Sequence, residues 1–154
     1  KPFERGKAPM DHLNSFADCL KELLAENGLS MRELSEKSGI RLSRLYDFLS
    51  RKHVPSLQNA VKIADVFCCP LDYLFGFAAD YAPQTFTVNG TVSQNVKAAM
   101  DNSGMTLYQL HKKTKIDEAQ LLRWHAGKQT PSLVSLVALA EALDVSLDSL
   151  AGRT

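Results

Sequence analysis

Five basic residues crowd one short stretch of the chain and its exit: Arg41, Arg44, Arg51, Lys52 and His53. Guanidinium and ammonium groups carry only donors, so a cluster of them suits a polyanion. Asp18, Glu22 and Glu26 fall on a separate helical stretch, which polarises this part of the chain and gives it one basic face. Other chemistry finds no constellation. The four histidines, His12, His53, His111 and His125, have no metal-ligand spacing with the cysteines, no glycine-rich phosphate loop follows a strand, and the serines mostly stand where helices begin. The chain is therefore read as a non-enzyme with no metal and no cofactor.

The basic residues need elements to position them, and Leu29 to Ser50 reads as two short helices around a glycine turn. Ser30 is an N-cap, and Glu33 three residues on completes a capping box, which starts a helix over Met31–Ser38. Gly39 stands where a left-handed backbone is needed after a helix, and Ile40 plugs the turn from below. A second helix follows over Leu42–Leu49. Its apolar Leu45, Phe48 and Leu49 recur at helical spacing, leaving Arg41, Ser43, Arg44 and Asp47 outside. This is a helix-turn-helix pattern with an exposed polar edge.

The pattern returns 76 residues later. Ser15–Gly76 aligns with Thr91–Gly152 without a gap, and 16 of the 62 positions are identical, among them Gly28/Gly104, Leu34/Leu110, Ile40/Ile116, Leu45/Leu121, Pro55/Pro131 and Gly76/Gly152. These are turns, caps and core-spaced apolar sites, so the chain contains a duplicated domain. In each copy a first helix carries an apolar stripe, Phe16, Leu20, Leu23 and Leu24 or Val92, Val96, Ala99 and Met100, and Asn14 or Ser15 is expected to cap the first of them. A fourth helix opens at Pro55-Ser56 or Pro131-Ser132. Leu57, Ala60, Val61 and Ala64 are expected to face inward from the first copy's, and Leu133, Leu136, Val137 and Ala140 from the second's. A short fifth helix covers Leu71–Phe75 or Leu147–Ala151. The expected architecture is all-α, two tandem five-helix bundles.

Both copies resemble the Cro/lambda-repressor-like (XRE) helix-turn-helix domain. The residues that carry the likeness are Leu29-Ser-Met-Arg-Glu-Leu34, Lys52-His-Val-Pro-Ser-Leu57 and Leu71-Asp-Tyr-Leu74, then Met105-Thr-Leu-Tyr-Gln-Leu110, Gly127-Lys-Gln-Thr-Pro-Ser-Leu133 and Val145-Ser-Leu-Asp-Ser-Leu150. Together they span about four-fifths of the chain. The resemblance implies a sequence-specific, double-stranded DNA-binding transcriptional regulator whose third helix enters the major groove. Carried over, the base-facing residues are Leu42, Ser43, Arg44 and Asp47, and in the second copy Glu118, Ala119, Gln120 and Arg123, with Asp117 as the N-cap. Arginine can bond guanine in bidentate fashion, glutamine can read adenine and glutamate can accept from cytosine. Phosphates fall to Arg32, Arg41, Arg51, Lys52, His53, Lys115 and Lys128. Both copies depart from the family at the first residue of the second helix, where a phosphate-binding glutamine is common and Met31 and Leu107 stand instead. In the second copy Asp117 and Glu118 put negative charge where phosphates approach, with Lys112, Lys113, Lys115 and Lys128 partly offsetting it. Trp124 is expected to pack, and His125 to be a plain histidine rather than a ligand. The alternative is a protein-interaction module, an antirepressor or assembly factor, with the second copy as partner-binding or dimerisation surface. Repressors of this family commonly form homodimers, although one such chain could cover two sites alone.

The whole chain sets wider bounds. Its 154 residues carry a net charge of only +1, so any attraction to DNA must be local. No apolar run approaches 18 residues and no leader is visible, which argues against a membrane partner and for a soluble protein of the cytoplasm. Of the three cysteines, Cys19, Cys68 and Cys69, the first and last are read as small apolar residues and the adjacent pair as unsuited to a disulfide. The expected division is an arm at 1–13, a first domain at 14–76, a linker at 77–90 and a second domain at 91–154. The arm holds Lys1, Arg5 and Lys7 beside Pro2, Gly6 and Pro9. It is not expected to form a helix, and it could follow a DNA groove or be a plain unstructured terminus. The chain opens on Lys1 and not Met, so its natural start is read as missing or altered. The linker's Tyr81, Phe86 and Val88 suggest packing or an extended segment rather than a tether. Its 14 residues would extend to roughly 45 Å, more than the roughly 34 Å between successive major-groove faces on one side of B-DNA.

Overall fold

The structure, a computed structural model, describes residues 9–154, with side chains from Asp11 onward. The described residues are all-α and divide into two compact units between Phe86 and Thr87. The first holds α1 (Pro9–Asn27), α2 (Met31–Ser38), α3 (Leu42–Leu49), α4 (Leu57–Phe67) and α5 (Leu71–Leu74). The second repeats them as α6 (Val92–Ser103), α7 (Leu107–Thr114), α8 (Glu118–His125), α9 (Leu133–Leu143) and α10 (Leu147–Ala151).

Helix α1 corrects the expected arm. Its described part runs from Pro9, five residues before Asn14, so 9–13 are helical, while Lys1, Pro2, Arg5, Gly6 and Lys7 lie outside the described residues. The described helix includes Pro9, so the proline does not prevent a helix here. The added turn is packed. His12 is fully buried, donates from Nδ1 to the Phe75 carbonyl at 2.7 Å and stacks on Phe77 at 3.9 Å with the rings 7° from parallel. Ser15 is no cap: its hydroxyl bonds back to the Asp11 carbonyl at 3.0 Å, four residues earlier.

The expected stripes meet in the cores. Phe16, Leu20, Leu23 and Leu24 are buried, and Phe16 touches Phe48 of α3 edge-on at 6.0 Å and stacks on Phe75 at 5.2 Å. On α6, Val96 and Met100 are buried while Val92 and Ala99 are half-buried. The inward face of α4 is rotated from the expected one: Ala60, Ile63, Ala64 and Phe67 are buried, and Leu57 and Val61 only half-buried. On α9 the expected Leu133, Leu136, Val137 and Ala140 are all buried, joined by Leu139. Cys19 and Cys69 are buried and Cys68 is exposed.

The expected linker is shared out. Phe77 is buried, Tyr81 packs on Tyr73 at 4.6 Å, and Gln84 N–H bonds the Cys68 carbonyl at 3.0 Å, all within the first unit. Thr87 and Thr154 exchange both backbone hydrogen bonds, at 2.7 and 3.0 Å, so residues 87–89 close the second unit as an isolated antiparallel bridge. No helix among the described residues is long and apolar enough to cross a membrane.

Candidate nucleic-acid interface

The helix-turn-helix of the first unit starts as its residues dictate. Ser30 Oγ accepts from Glu33 N–H and Glu33 Oε1 accepts from Ser30 N–H, both at 3.1 Å. Those bonds hold the Glu33 carboxyl below its ordinary range, the backbone donor of Ser30 contributing most. Gly39 is left-handed at φ 76°, and Ile40 below it is buried. The turn is latched from both sides: Ser35 Oγ donates to the Ile40 carbonyl at 2.6 Å and Ser38 Oγ accepts from Ile40 N–H at 3.2 Å.

The latch aims α3. Leu45 and Phe48 are buried against the core, so Arg41, Ser43 and Arg44 are exposed and Leu42 and Asp47 half-buried along the opposite edge. Arg32 on α2 is exposed too, and the loop after α3 adds exposed Arg51, Lys52 and His53. The backbone of that loop folds onto the end of α3, with Lys52 N–H on the Asp47 carbonyl at 2.9 Å. Two of these basic residues already face acids. Arg51 Nη2 lies 2.9 Å from Asp18 Oδ1, and His53 Nε2 lies 3.8 Å from Asp47 Oδ2, beyond hydrogen-bond reach. The expected base contact Asp47 and phosphate contact His53 are thus neighbours.

The second unit builds the same turn with other side chains. His111 Nδ1 donates to the Ile116 carbonyl at 2.7 Å where Ser35 does so above, and Thr114 Oγ1 accepts from Ile116 N–H at 3.1 Å in place of Ser38. Lys115 takes the left-handed position, φ 64°. Asp117 stands at the N-cap of α8 but makes no side-chain cap bond. Leu121 and Trp124 are buried, leaving Glu118, Ala119 and Arg123 exposed and Gln120 half-buried. Lys128 is exposed beside them, whereas Lys113 is drawn off to the Ala142 carbonyl at 3.1 Å near the end of α9 and Lys112 sits 5.4 Å over the Tyr108 ring. His125 is half-buried and bonded through Nε2 to Asp101 Oδ1 at 2.7 Å, and with Lys97 at 2.9 Å it keeps the Asp101 carboxyl below its usual range.

One arrangement had no signal in the sequence. Arg123 Nη2 donates to Gln120 Oε1 at 2.8 Å, and Gln120 Nε2 donates to Gln129 Oε1 at 2.7 Å. Gln129 belongs to the loop after α8, nine residues from Gln120, and no spacing rule links a helix to its exit loop.

Comparison with known families agrees with this geometry. A helix-turn-helix family model matches residues 20–74, and one described as the Cro/C1-type HTH DNA-binding domain matches residues 95–153. Searches of curated proteins and of solved structures gave no match. With the turn, the aimed third helix and the family match present in both units, the chain belongs to the helix-turn-helix proteins as a tandem of Cro/C1-type domains, a DNA-binding regulator in general terms.

Proposed function

We propose that the protein binds double-stranded DNA sequence-specifically and regulates transcription. The observation that carries this is the edge of α3, where the exposed Arg41, Ser43 and Arg44 are continued by Arg51, Lys52 and His53 while the helix's apolar side is locked in the core. Base contacts fall to Leu42, Ser43, Arg44 and Asp47, with Glu118, Ala119, Gln120 and Arg123 as their counterparts on α8. Arg32, Arg41, Arg51, Lys52, His53, Lys115 and Lys128 take phosphates and set register without reading sequence. The reading implies a cytoplasmic protein, and repression by occupancy of an operator, as one chain or as a homodimer.

The test is selection of the chain on random duplexes at two salt concentrations, with sequencing of the bound pool. Steep salt dependence and one enriched motif are expected. Retention that is weak at low salt, with no motif, rejects the reading.

A second reading applies to the second domain alone. Leu122 on α8 is 54% exposed and borders an apolar cavity of about 230 Å³ walled by Met100, Met105, Leu107 and Leu110, with Asp101 and His125 at its polar side. With Glu118 on the same helix, this surface suits a protein partner better than a phosphate backbone. Under this reading the pool shows a single half-site, unchanged by substitutions on α8.

A further inference from the structure

We infer that in the second domain Arg123 is the base-reading group and guanine the base it selects, with Gln120 and Gln129 positioning its guanidinium. This rests on the DNA-binding reading and assigns roles within it. A guanidinium has only donors, so the atom of Gln120 that meets Arg123 at 2.8 Å is the amide oxygen. The direction of that amide is then settled. Its Nε2 must point the other way, to an acceptor, and Gln129 supplies Oε1 at 2.7 Å.

The chain of bonds divides the two candidate readers. A glutamine reads adenine with one donor and one acceptor, and Gln120 has one of its two amide N–H groups and one of its two carbonyl lone pairs engaged within the protein. The N–H and lone pair that remain are held in direction by those two bonds and cannot turn to a base without breaking them. Arg123 has given one N–H of five, which leaves a fork of parallel donors for guanine O6 and N7. Arg123 is also exposed, whereas Gln120 is half-buried. The far end of the chain is held as well: Lys128 N–H bonds the Arg123 carbonyl at 3.0 Å, and Thr130 Oγ1 lies 3.4 Å from Ser93 Oγ of α6. Gln129 sits between these two anchors, so the guanidinium carried on α8 is tied through Gln120 to a loop that is itself bonded on either side of Gln129.

The aligned trio in the first domain is Arg44, Asp47 and His53, with the arginine at the third helical position and the acid at the sixth. In the second domain the arginine is at the sixth, three residues or roughly 4.5 Å further along the helix. With the same docking, the selected guanine is displaced by about one base pair within the second half-site relative to the first, and the operator is not a symmetric repeat.

The experiment is the duplex selection repeated with the full chain and its Arg44→Ala, Arg123→Ala, Gln120→Ala, Gln129→Ala and Gln129→Glu variants. One guanine is expected to vanish with Arg123→Ala, while the motif lost in Arg44→Ala persists. Gln129→Ala should lower enrichment of that guanine about threefold to tenfold, with the salt slope on mixed-sequence duplex unchanged. Gln129→Glu, which keeps an acceptor for Gln120, should restore it. An adenine that survives Arg123→Ala and vanishes with Gln120→Ala would overturn the assignment. So would a Gln129→Ala effect equal on every sequence, because that is what a merely structural residue gives. If no position answers to Arg123 while Arg44 still governs one, this inference alone fails. If no motif appears at all, the DNA-binding reading fails and takes this one with it.

Discussion

At the two turns that bracket the third helix, the domains exchange glycine for a cation. Before the helix stand Gly39 at φ 76° and Lys115 at φ 64°; after it stand Arg51 at φ 63° and Gly127 at φ 75°. The left-handed backbone is demanded by the chain path in both domains, whichever residue occupies it. A side chain there costs about 1–2 kcal/mol relative to glycine, so each domain carries one strained cation next to its third helix, on opposite sides of it. The proposed role of Arg51 and Lys115 as phosphate contacts gives that strain a use.

The ends of the domains differ in the same way. After α5 the chain buries Phe77 against His12, whereas the aligned residue after α10 is Arg153, buried with its Nη1 2.7 Å from Asp148 Oδ1. One closure is a ring stack and the other an ion pair. Breaking a buried pair from one side leaves a carboxylate without its arginine, so Arg153→Met is expected to destabilise the second domain by about 3–5 kcal/mol. Denaturant unfolding with hydrogen exchange read on α10 checks this. A loss below about 1 kcal/mol would mean that the arginine's stem, and not its charge, closes the domain.

At the DNA edge the comparison predicts a smaller effect. Arg44→Ala should weaken binding to the selected site by about 1–3 kcal/mol, measured by titration at fixed salt, and leave any position governed by Arg123 intact. Equal loss across unrelated sequences would instead make Arg44 a phosphate contact.

Relieving the strained cations separates backbone from charge. Lys115→Gly should raise stability by about 1 kcal/mol while reducing the salt slope of DNA binding by about one. Arg51→Gly should gain less, because it also removes the exposed pair with Asp18, a contact worth about 0.2–1 kcal/mol. Paired thermal melts rank the two. A larger gain for Arg51→Gly would show that the ion pair contributes nothing.

Most of the fold was legible because its signals are local. Ser30 with Glu33, the Gly39 turn and the spacing of Leu45 and Phe48 lie within a few residues of one another, and α2 and α3 run over the residues those signals mark. The start of α1 was not legible. Pro9 gives the same composition signal in an arm as in a helix, and only the packing of buried His12 against the Phe75 carbonyl and the Phe77 ring separates the two. The rotated face of α4 has a similar cause, since Val61 and Ile63 are both apolar and the tertiary contact chooses between them. At the candidate site, the exposed edge of α3 was legible from helical periodicity. The partners of that edge were not, because Asp18 with Arg51 and Gln129 with Gln120 meet only once the chain has folded.

The smallest expected effect tests whether matching caps behave alike. Both second helices open with a capping box, Ser30/Glu33 on α2 and Thr106/Gln109 on α7, but only the first contains a group that titrates. The folded Glu33 carboxyl lies below its ordinary value, mainly through the Ser30 backbone donor. A depressed carboxylate contributes stability that is full above the unfolded value and fades as pH falls through the folded one. Acidification across that window should therefore loosen the first turn of α2 and leave that of α7 in place. Amide exchange at Glu33 and Gln109, followed from neutral pH downward, reads the two turns side by side. Glu33→Gln should make α2 as indifferent to acid as α7, since the amide oxygen still accepts from Ser30 N–H and carries no proton to gain. If α7 loosens over the same range, the acid response belongs to the domains as wholes and not to the box.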